Sequence, residues 1–332
     1  MSVVRLRAVL ACLCMSVLVQ GPAEAYIHLA VDQSPQSKPL RWTIARPRWY
    51  ASDHGVPGVS VGQFQAEVAQ AFATWEAVPT ASIGFDFVGF TSAAPFEDDG
   101  LSVFGFEDEP DMDRVLGATT FVIDVGTDAI VESDVFFNSI FPWSVAPGGE
   151  AGRFDLRSVA VHEIGHFIGL GHSAIGETEL RTDGTRRVIA SGAVMFPISL
   201  GRGVVADRTL TPDDVAGASD LYPDQNVRRT TGAITGRVRL GDAGVRGAHV
   251  VAFSVRTGRL VGGFSRPDGT FRIAGLTPGP HVIRVEPLDD GDIESFLSPP
   301  VNVDFQVTYH PRLIVAPAGG DGATFDVMVK AK

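Results

Sequence analysis

Three histidines and a glutamate fall within eleven residues, His162-Glu-Ile-Gly-His-Phe-Ile-Gly-Leu-Gly-His172. His162 and His166 are four apart. On a helix turning ~100° per residue their imidazoles point about 40° from one another and reach a common point. Glu163 sits on the flank of that pair, placed to hold a water and not as a third ligand. Gly169 follows His166 by three. Glycine adopts positive φ without steric cost, so the helix can end there and the chain can fold back, bringing His172 to the same point. Three neutral imidazoles with one position open make a catalytic zinc site, whereas a closed structural site needs a fourth protein ligand. A bare H-E-x-x-H also occurs in helices that bind nothing. The added spacing of Gly169 and His172 lifts this stretch above that background.

These side chains need a rigid helix beneath them. Asp155 is a cap for it, and Leu156, Ala160, Ile164 and Phe167 form an apolar side opposite His162 and His166. Upstream, residues 60–78 read as a second helix with Val61, Phe64, Val68, Phe72 and Trp75 on one face. Ser60 and Gln63 form its capping box and Pro79 ends it. Strands are expected at 41–44, 83–88, 102–106, 119–125 and 129–137, separated by Gly/Asp turns. Acidic clusters at 97–99 and 107–113 read as solvated loops, with calcium binding left open. After His172 a loop with an Asp183-Gly184 turn leads to Ser191-Gly-Ala-Val-Met-Phe-Pro197. Thr211-Pro-Asp-Asp214 then starts a third helix, with threonine as cap and proline in the first turn, and Pro223 stops it. One early helix, a strand-rich middle and two late helices make an α+β domain.

The chain has 332 residues, 45% of them hydrophobic and 20% charged, enough for two globular domains with their own cores. A formal charge of -12 argues against nucleic acid or an anionic membrane as partner. Arginine carries the positive charge while lysine is limited to Lys38, Lys330 and Lys332, a bias of GC-rich bacterial genomes. Residues 1–25 read as a secretory signal peptide: Arg5 and Arg7, an apolar run over 8–19, then Ala23-Glu-Ala25 as the cleavage site. Both cysteines, Cys12 and Cys14, lie inside it, so the mature chain is expected to hold no disulfide. No later segment is long and apolar enough to span a bilayer. Residues 26–40 read as an N-terminal arm carrying two candidate zinc ligands, His28 and Asp32. An inhibitory arm, with Asp32 in the open zinc position, stands beside the plainer expectation of a loose lead-in.

The stretches Val159-Ala-Val-His-Glu-Ile-Gly-His-Phe-Ile-Gly-Leu-Gly-His-Ser173, Ala193-Val-Met-Phe-Pro197 and Leu210-Thr-Pro-Asp-Asp-Val-Ala-Gly-Ala-Ser-Asp-Leu-Tyr222 resemble a matrixin catalytic domain, the matrix metalloproteinase branch of the metzincins. Ser173 after the third histidine is typical of matrixins. The resemblance implies a metzincin fold over 41–223, a twisted mostly parallel sheet with long helices. It also implies a secreted zinc endopeptidase with His162, His166 and His172 as ligands, Glu163 as general base and Met195 in the methionine turn beneath the zinc. Further implied are Leu116-Gly117-Ala118 as the sheet edge that pairs with substrate, Pro197-Ile198-Ser199 as the wall of the pocket beyond the scissile bond, and Ser158 near its base. Three features depart from the pattern. The loop from Ser173 to Ser191 is longer than usual. Ahead of His162 only His28 and His54 follow the signal peptide, in no pattern that would hold the second zinc of animal matrixins. The zinc-binding cysteine of a prodomain is missing.

After Pro223, residues 224–231 read as a polar linker, and 232–332 as regular short strands with Gly/Pro turns, a β-sandwich. Ile234-Thr-Gly-Arg-Val238, Gly247-Ala-His-Val250, Asp268-Gly-Thr-Phe271 and Gly275-Leu-Thr-Pro-Gly-Pro-His-Val282 resemble the carboxypeptidase regulatory-like domain, a transthyretin-like sandwich. His249, His281 and His310 read as strand residues. The resemblance implies a spacing module or a means of attachment to a surface or substrate. Every candidate catalytic residue precedes 224, so short-peptide cleavage is expected to be independent of the sandwich. The alternative is a secreted surface-binding or adhesion protein whose zinc domain is degenerate. Such a chain is expected to lose Glu163 or a ligand, and here all four residues are kept.

Overall fold

The computed structural model describes residues 5–11, 28–30, 38–182 and 186–332. The N-terminal half is built on one twisted sheet. Its strands are β1 (Arg5–Ala11), β2 (Arg41–Trp42), β3 (Arg48–Ser52), β4 (Asp86–Thr91), β5 (Val103–Glu107), β6 (Gly117–Asp124) and β7 (Ala129–Asn138), in the order β1-β6-β7-β5-β3-β4, with β2 also on β7. The pairs within β7-β5-β3-β4 and β2-β7 are parallel, while β6 is antiparallel to both β7 and β1. Helix α1 (Val61–Glu76) connects β3 to β4 and packs on this sheet beside α2 (Leu156–Phe167). The short parallel pair β8 (Trp143–Ser144) and β9 (Phe154–Asp155) leads into α2.

The expected helix at 60–78 forms as α1, and Ser60 and Gln63 close the capping box from both sides. Its apolar face meets the sheet through Phe64, Phe72 and Trp75, each at most 3% exposed. Trp75 does more than fill space: its indole N–H donates to the Val161 carbonyl at 2.9 Å, tying α1 to the middle of α2. Helix α2 departs from the expected two-faced pattern. Every residue except Arg157 is buried, the histidine side included. The strand expected at 83–88 begins three residues later, because Ile83 and Phe85 turn into the core ahead of the ladder. Strand β3, absent from the sequence expectations, sits between β4 and β5, where Trp49 and Ala51 are covered on both sides. The acidic residues of β7 look inward. Asp134 accepts N–H groups of Phe96 and Val103, and Glu132 accepts that of Gly100, so both carboxylates pin the 96–103 loop.

The arm expected at 26–40 is not loose where it is described. Leu29 N–H donates to Gly169 O at 2.9 Å, and Leu29, Ala30 and Leu40 are buried. Between His172 and the methionine turn, the expected loop is a hairpin, β10 (Gly176–Leu180) with β11 (Arg186–Ser191). The proposed Asp183-Gly184 turn lies outside the described residues. Helix α3 (Pro212–Leu221) follows, then one turn, α4 (Val227–Thr230).

The C-terminal strands are β12 (Gly232–Leu240), β13 (Ala243–Gly244), β14 (His249–Ser254), β15 (Leu260–Phe264), β16 (Thr270–Leu276), β17 (Gly279–Glu286), β18 (Thr308–Tyr309), β19 (Ile314–Ala316) and β20 (Phe325–Val329). They form two facing sheets. One runs β13-β12-β16 with β20 on β12; the other runs β15-β14-β17-β18 with β19 on β17. Ile234, Val250, Phe271, Ile283 and Val285 fill the space between them. His249 pairs with Glu286 and His281 with the Gly279 carbonyl, both as strand residues. A third apolar cluster joins the halves: Ala174 and Phe196 from the first pack with Phe264, Leu288, Phe296 and Leu297 from the second. Among the described residues no helix is long and apolar enough to cross a membrane.

Candidate metal centre

Helix α2 is capped by Asp155, whose carboxylate accepts Ser158 N–H at 2.9 Å and is also held by the Arg208 guanidinium. Its last carbonyls, the groups a helix end leaves open, are taken up by two aromatic donors. The Trp42 indole N–H reaches Phe167 O at 2.8 Å and the Tyr222 hydroxyl reaches Ile168 O at 2.7 Å. Gly169 then turns the chain at φ +102, with Leu40 O only 2.1 Å from where a Cβ would stand. Both the backbone angle and the space require glycine.

This turn brings His172 back to His162 and His166. His166 Nε2 lies 3.1 Å from His162 Nε2 and 3.2 Å from His172 Nε2. The three are the sole group of metal-ligating side chains that converges among the described residues. Tetrahedral nitrogens at about 2.0–2.1 Å from zinc stand roughly 3.3 Å apart, close to this spacing. Each Nδ1 faces a carbonyl: Val194 O at 2.7 Å for His162, Leu170 O at 2.8 Å for His166 and Ser295 O at 2.6 Å for His172. Donation through Nδ1 leaves each Nε2 lone pair directed at the common point, the outer-shell pattern of a metal-binding histidine. Burial lowers the His162 pKa to about 4 and that of His172 to about 3, and His166 falls well below its ordinary value. All three are therefore neutral at pH 7, as ligation requires. The residues fit a zinc ion.

Glu163 is fully buried. Its Oε2 accepts the Thr119 hydroxyl at 2.8 Å, and its Oε1 has no protein partner. Burial pushes this carboxyl up to about 8, with the Thr119 hydroxyl pulling down. A cation held by the neighbouring imidazoles acts in the same direction as Thr119. Met195 lies under the helix, its Sδ 2.2 Å from the position of a Cβ on Gly165, so glycine there admits the methionine. The methionine turn hangs on Asp214, whose carboxylate accepts the N–H groups of Val194, Met195 and Thr211.

Of the residues named for substrate contact, Leu116, Ser158 and Ser199 line one pocket beside His162, together with Val159, Val194, Phe196 and Asp207. Gly117 is buried against the carboxylate; a Cβ there would stand 3.2 Å from Glu163 Oε1. Ala118 turns its methyl into a separate buried cluster with Val115 and Phe136, leaving only its backbone for the edge. Pro197 and Ile198 do not line the pocket, and Ile198 packs instead on the cluster that joins the two halves. His28 is not near the three histidines. It is buried, its backbone bridges to Leu170, and its ring donates toward the Gly217 carbonyl of α3. Asp32 lies outside the described residues.

Several residues at the site have no mark in the sequence: Thr119, Asp207, Asp214 and Ser295. Thr211-Pro-Asp-Asp214 signals a helix start, and that signal concealed the second task of Asp214.

Residues 42–182 match the family model of matrixin, peptidase M10. The chain is 44% identical over 69 residues to metalloendoproteinase 2-MMP of Arabidopsis thaliana, covering 20% of this chain and 14% of that protein. It is 30% identical over 102 residues to matrilysin of Rattus norvegicus, covering 31% and 29%. With interstitial collagenase A of Mus musculus it shares 27% identity over 222 residues, covering 63% and 40%. The chain thus spans less than half the length of each of these relatives. Among solved structures, the Bacillus anthracis TIE protein aligns at TM-score 0.24 and 10% identity, covering 31% of this chain and 18% of that one. The major pilin subunit BcpA of Bacillus cereus aligns at TM-score 0.21 and 14% identity, covering 31% of each. At these scores the alignments carry no argument about function.

Proposed function

We propose that this protein is a secreted zinc-dependent endopeptidase with His162, His166 and His172 as zinc ligands and Glu163 as general base. The observation that carries the reading is the convergence of three carbonyl-oriented imidazoles beside a buried carboxylate with one free oxygen. The matrixin match over 42–182 supports a metalloprotease in general.

When bound, zinc supplies a Lewis acid that lowers the pKa of a water toward ~7 and polarises the peptide carbonyl. The remaining work belongs to the chain. Glu163 takes the water's proton on Oε1 and returns it to the leaving amine. Thr119 holds Oε2, so the free oxygen faces the reacting atoms. The substrate lies extended along the outer edge of β6 at Leu116, Gly117 and Ala118. That edge accepts an antiparallel strand in this structure, where Ala11 of β1 pairs with Ala118. The side chain after the scissile bond enters the pocket of Leu116, Ser158, Val159 and Phe196, with Ser199 on its wall. Met195 forms the floor and moves no proton.

In the same reading, residues 1–25 direct export and are removed, residues 41–223 form the peptidase and 232–332 the sandwich. The carboxypeptidase regulatory-like assignment rests on the sequence cues alone. The test is a peptide-library digest by the exported chain. Cleavage should be abolished by a zinc chelator and restored by added zinc. Cleavage that survives complete zinc removal would refute the proposal.

A further inference from the structure

The three imidazoles are oriented by carbonyls from three different places. Val194 belongs to the methionine turn and Leu170 to the turn after α2, both within the metalloprotease-like half. Ser295 lies 123 residues beyond His172, in the 3-10 turn Ile293–Ser295 that follows β17. It offers the shortest of the three contacts, 2.6 Å.

That turn is anchored from below. Phe296 is fully buried, with its ring 6.2 Å from Phe264 and 6.4 Å from Phe196. The segment next to His172 is fixed to the sandwich a second time. Buried Asp213 accepts the Ser173 hydroxyl at 2.6 Å and the Gly262 N–H of β15 at 2.8 Å. The hairpin makes a third tie, where Thr178 N–H reaches Asp290 at 2.7 Å.

We infer that the C-terminal sandwich completes the zinc site, with the Ser295 carbonyl, seated by Phe296, acting as the positioning group for His172. This rests on the proposed zinc centre and goes beyond it, because the sandwich then governs metal affinity and not only substrate attachment. It runs against the sequence expectation that the sandwich is independent of the chemistry. The physical reason is specific: an imidazole ligand whose Nδ1–H has lost its acceptor has neither a fixed tautomer nor a fixed ring orientation.

The experiment uses the full chain and three variants. Phe296→Ala removes the anchor of the turn. Ser295→Pro removes the N–H that closes the turn on Asp292 O at 2.9 Å and leaves the apolar cluster alone. Phe271→Ala makes an equal truncation in the sandwich's own core, away from His172. Zinc dissociation constants come from chelator competition, and the visible spectrum of the cobalt-substituted protein reports ligand geometry. Phe296→Ala and Ser295→Pro should each weaken zinc binding by about 10–100-fold and alter the cobalt spectrum, and Phe296→Leu should restore most of the loss. Phe271→Ala should lower stability while leaving affinity and spectrum unchanged.

Native affinity in both turn variants overturns the inference, as does an equal loss in Phe271→Ala. A wild-type chain that binds no zinc at the three imidazoles removes the underlying function, and this inference with it. Wild-type binding with unaffected turn variants removes only the inference.

Discussion

Replacing Thr119 by valine keeps its volume and deletes one hydroxyl. That hydroxyl is the donor to Glu163 Oε2 at 2.8 Å, and Oε1 has no partner in the protein. A hydrogen bond to a charged group contributes roughly 1.5–3 kcal/mol, and each 1.36 kcal/mol is tenfold in rate or one unit in pKa. The bond favours ionised Glu163. Its loss should therefore raise the carboxyl pKa by about one unit and move the rising limb of the pH profile to higher pH. Above that limb, loss of orientation should leave kcat/KM about tenfold below wild type. Zinc content should be unchanged, since the Thr119 hydroxyl bonds to Glu163 and not to the three histidines. The assay is kcat/KM on a fluorogenic peptide from pH 5 to 9, with zinc measured on the same samples. Thr119→Ser should recover most of the rate. A valine variant within twofold of wild type, with its limb unmoved, would refute the reasoning that Thr119 sets the state of Glu163.

Three other outcomes are expected. Gly165→Ala places a Cβ 2.2 Å from Met195 Sδ and 3.0 Å from the Trp75 ring, so it should destabilise by ~1–3 kcal/mol, read by urea unfolding. Burial raises Asp134 from 3.8 to about 7, so between these values the folded state holds a proton the unfolded state has lost. Stability should fall as pH rises from 4 to 7, with a ceiling of ~4 kcal/mol, and the slope should flatten in Asp134→Asn; an equal slope in the variant would count against it. Elemental analysis should find one zinc per chain, and His172→Ala should lose it; two tightly held zincs would contradict a single centre.

The parts of the molecule that could be read from sequence were those set by local geometry. The placement of His162, His166, Glu163 and Gly169 follows from the helical repeat and one positive-φ residue. The α1 capping box and the Thr211 helix start follow from four-residue patterns. Strands β2, β4 to β7, β12 and β14 to β17 follow from alternation and turn residues. What escaped depends on partners far along the chain. Thr119 is an ordinary strand threonine until β6 lies beside α2. Asp214 is a capping residue until the methionine turn comes to rest on it. Ser295 is a loop serine until Phe296 seats its carbonyl on His172. His28 misled for the same reason: a histidine in a polar leader reads as a ligand, but Leu29 pairs with Gly169 and His28 with Leu170, and its ring does not join the converging three. Strand β3 was missed because Arg48-Trp-Tyr-Ala-Ser52 has no alternation, its place being set by neighbours on both sides.

The central claim separates metal binding, assigned to three histidines, from proton transfer, assigned to Glu163. The most direct measurement is peptide cleavage and bound zinc on the same preparation of Glu163→Ala. Bound zinc should stay at one per chain, as in wild type, with a loss of kcat/KM of about 10²–10⁴-fold, the usual contribution of a general base. Wild-type activity in that variant, or zinc lost together with activity, would contradict it.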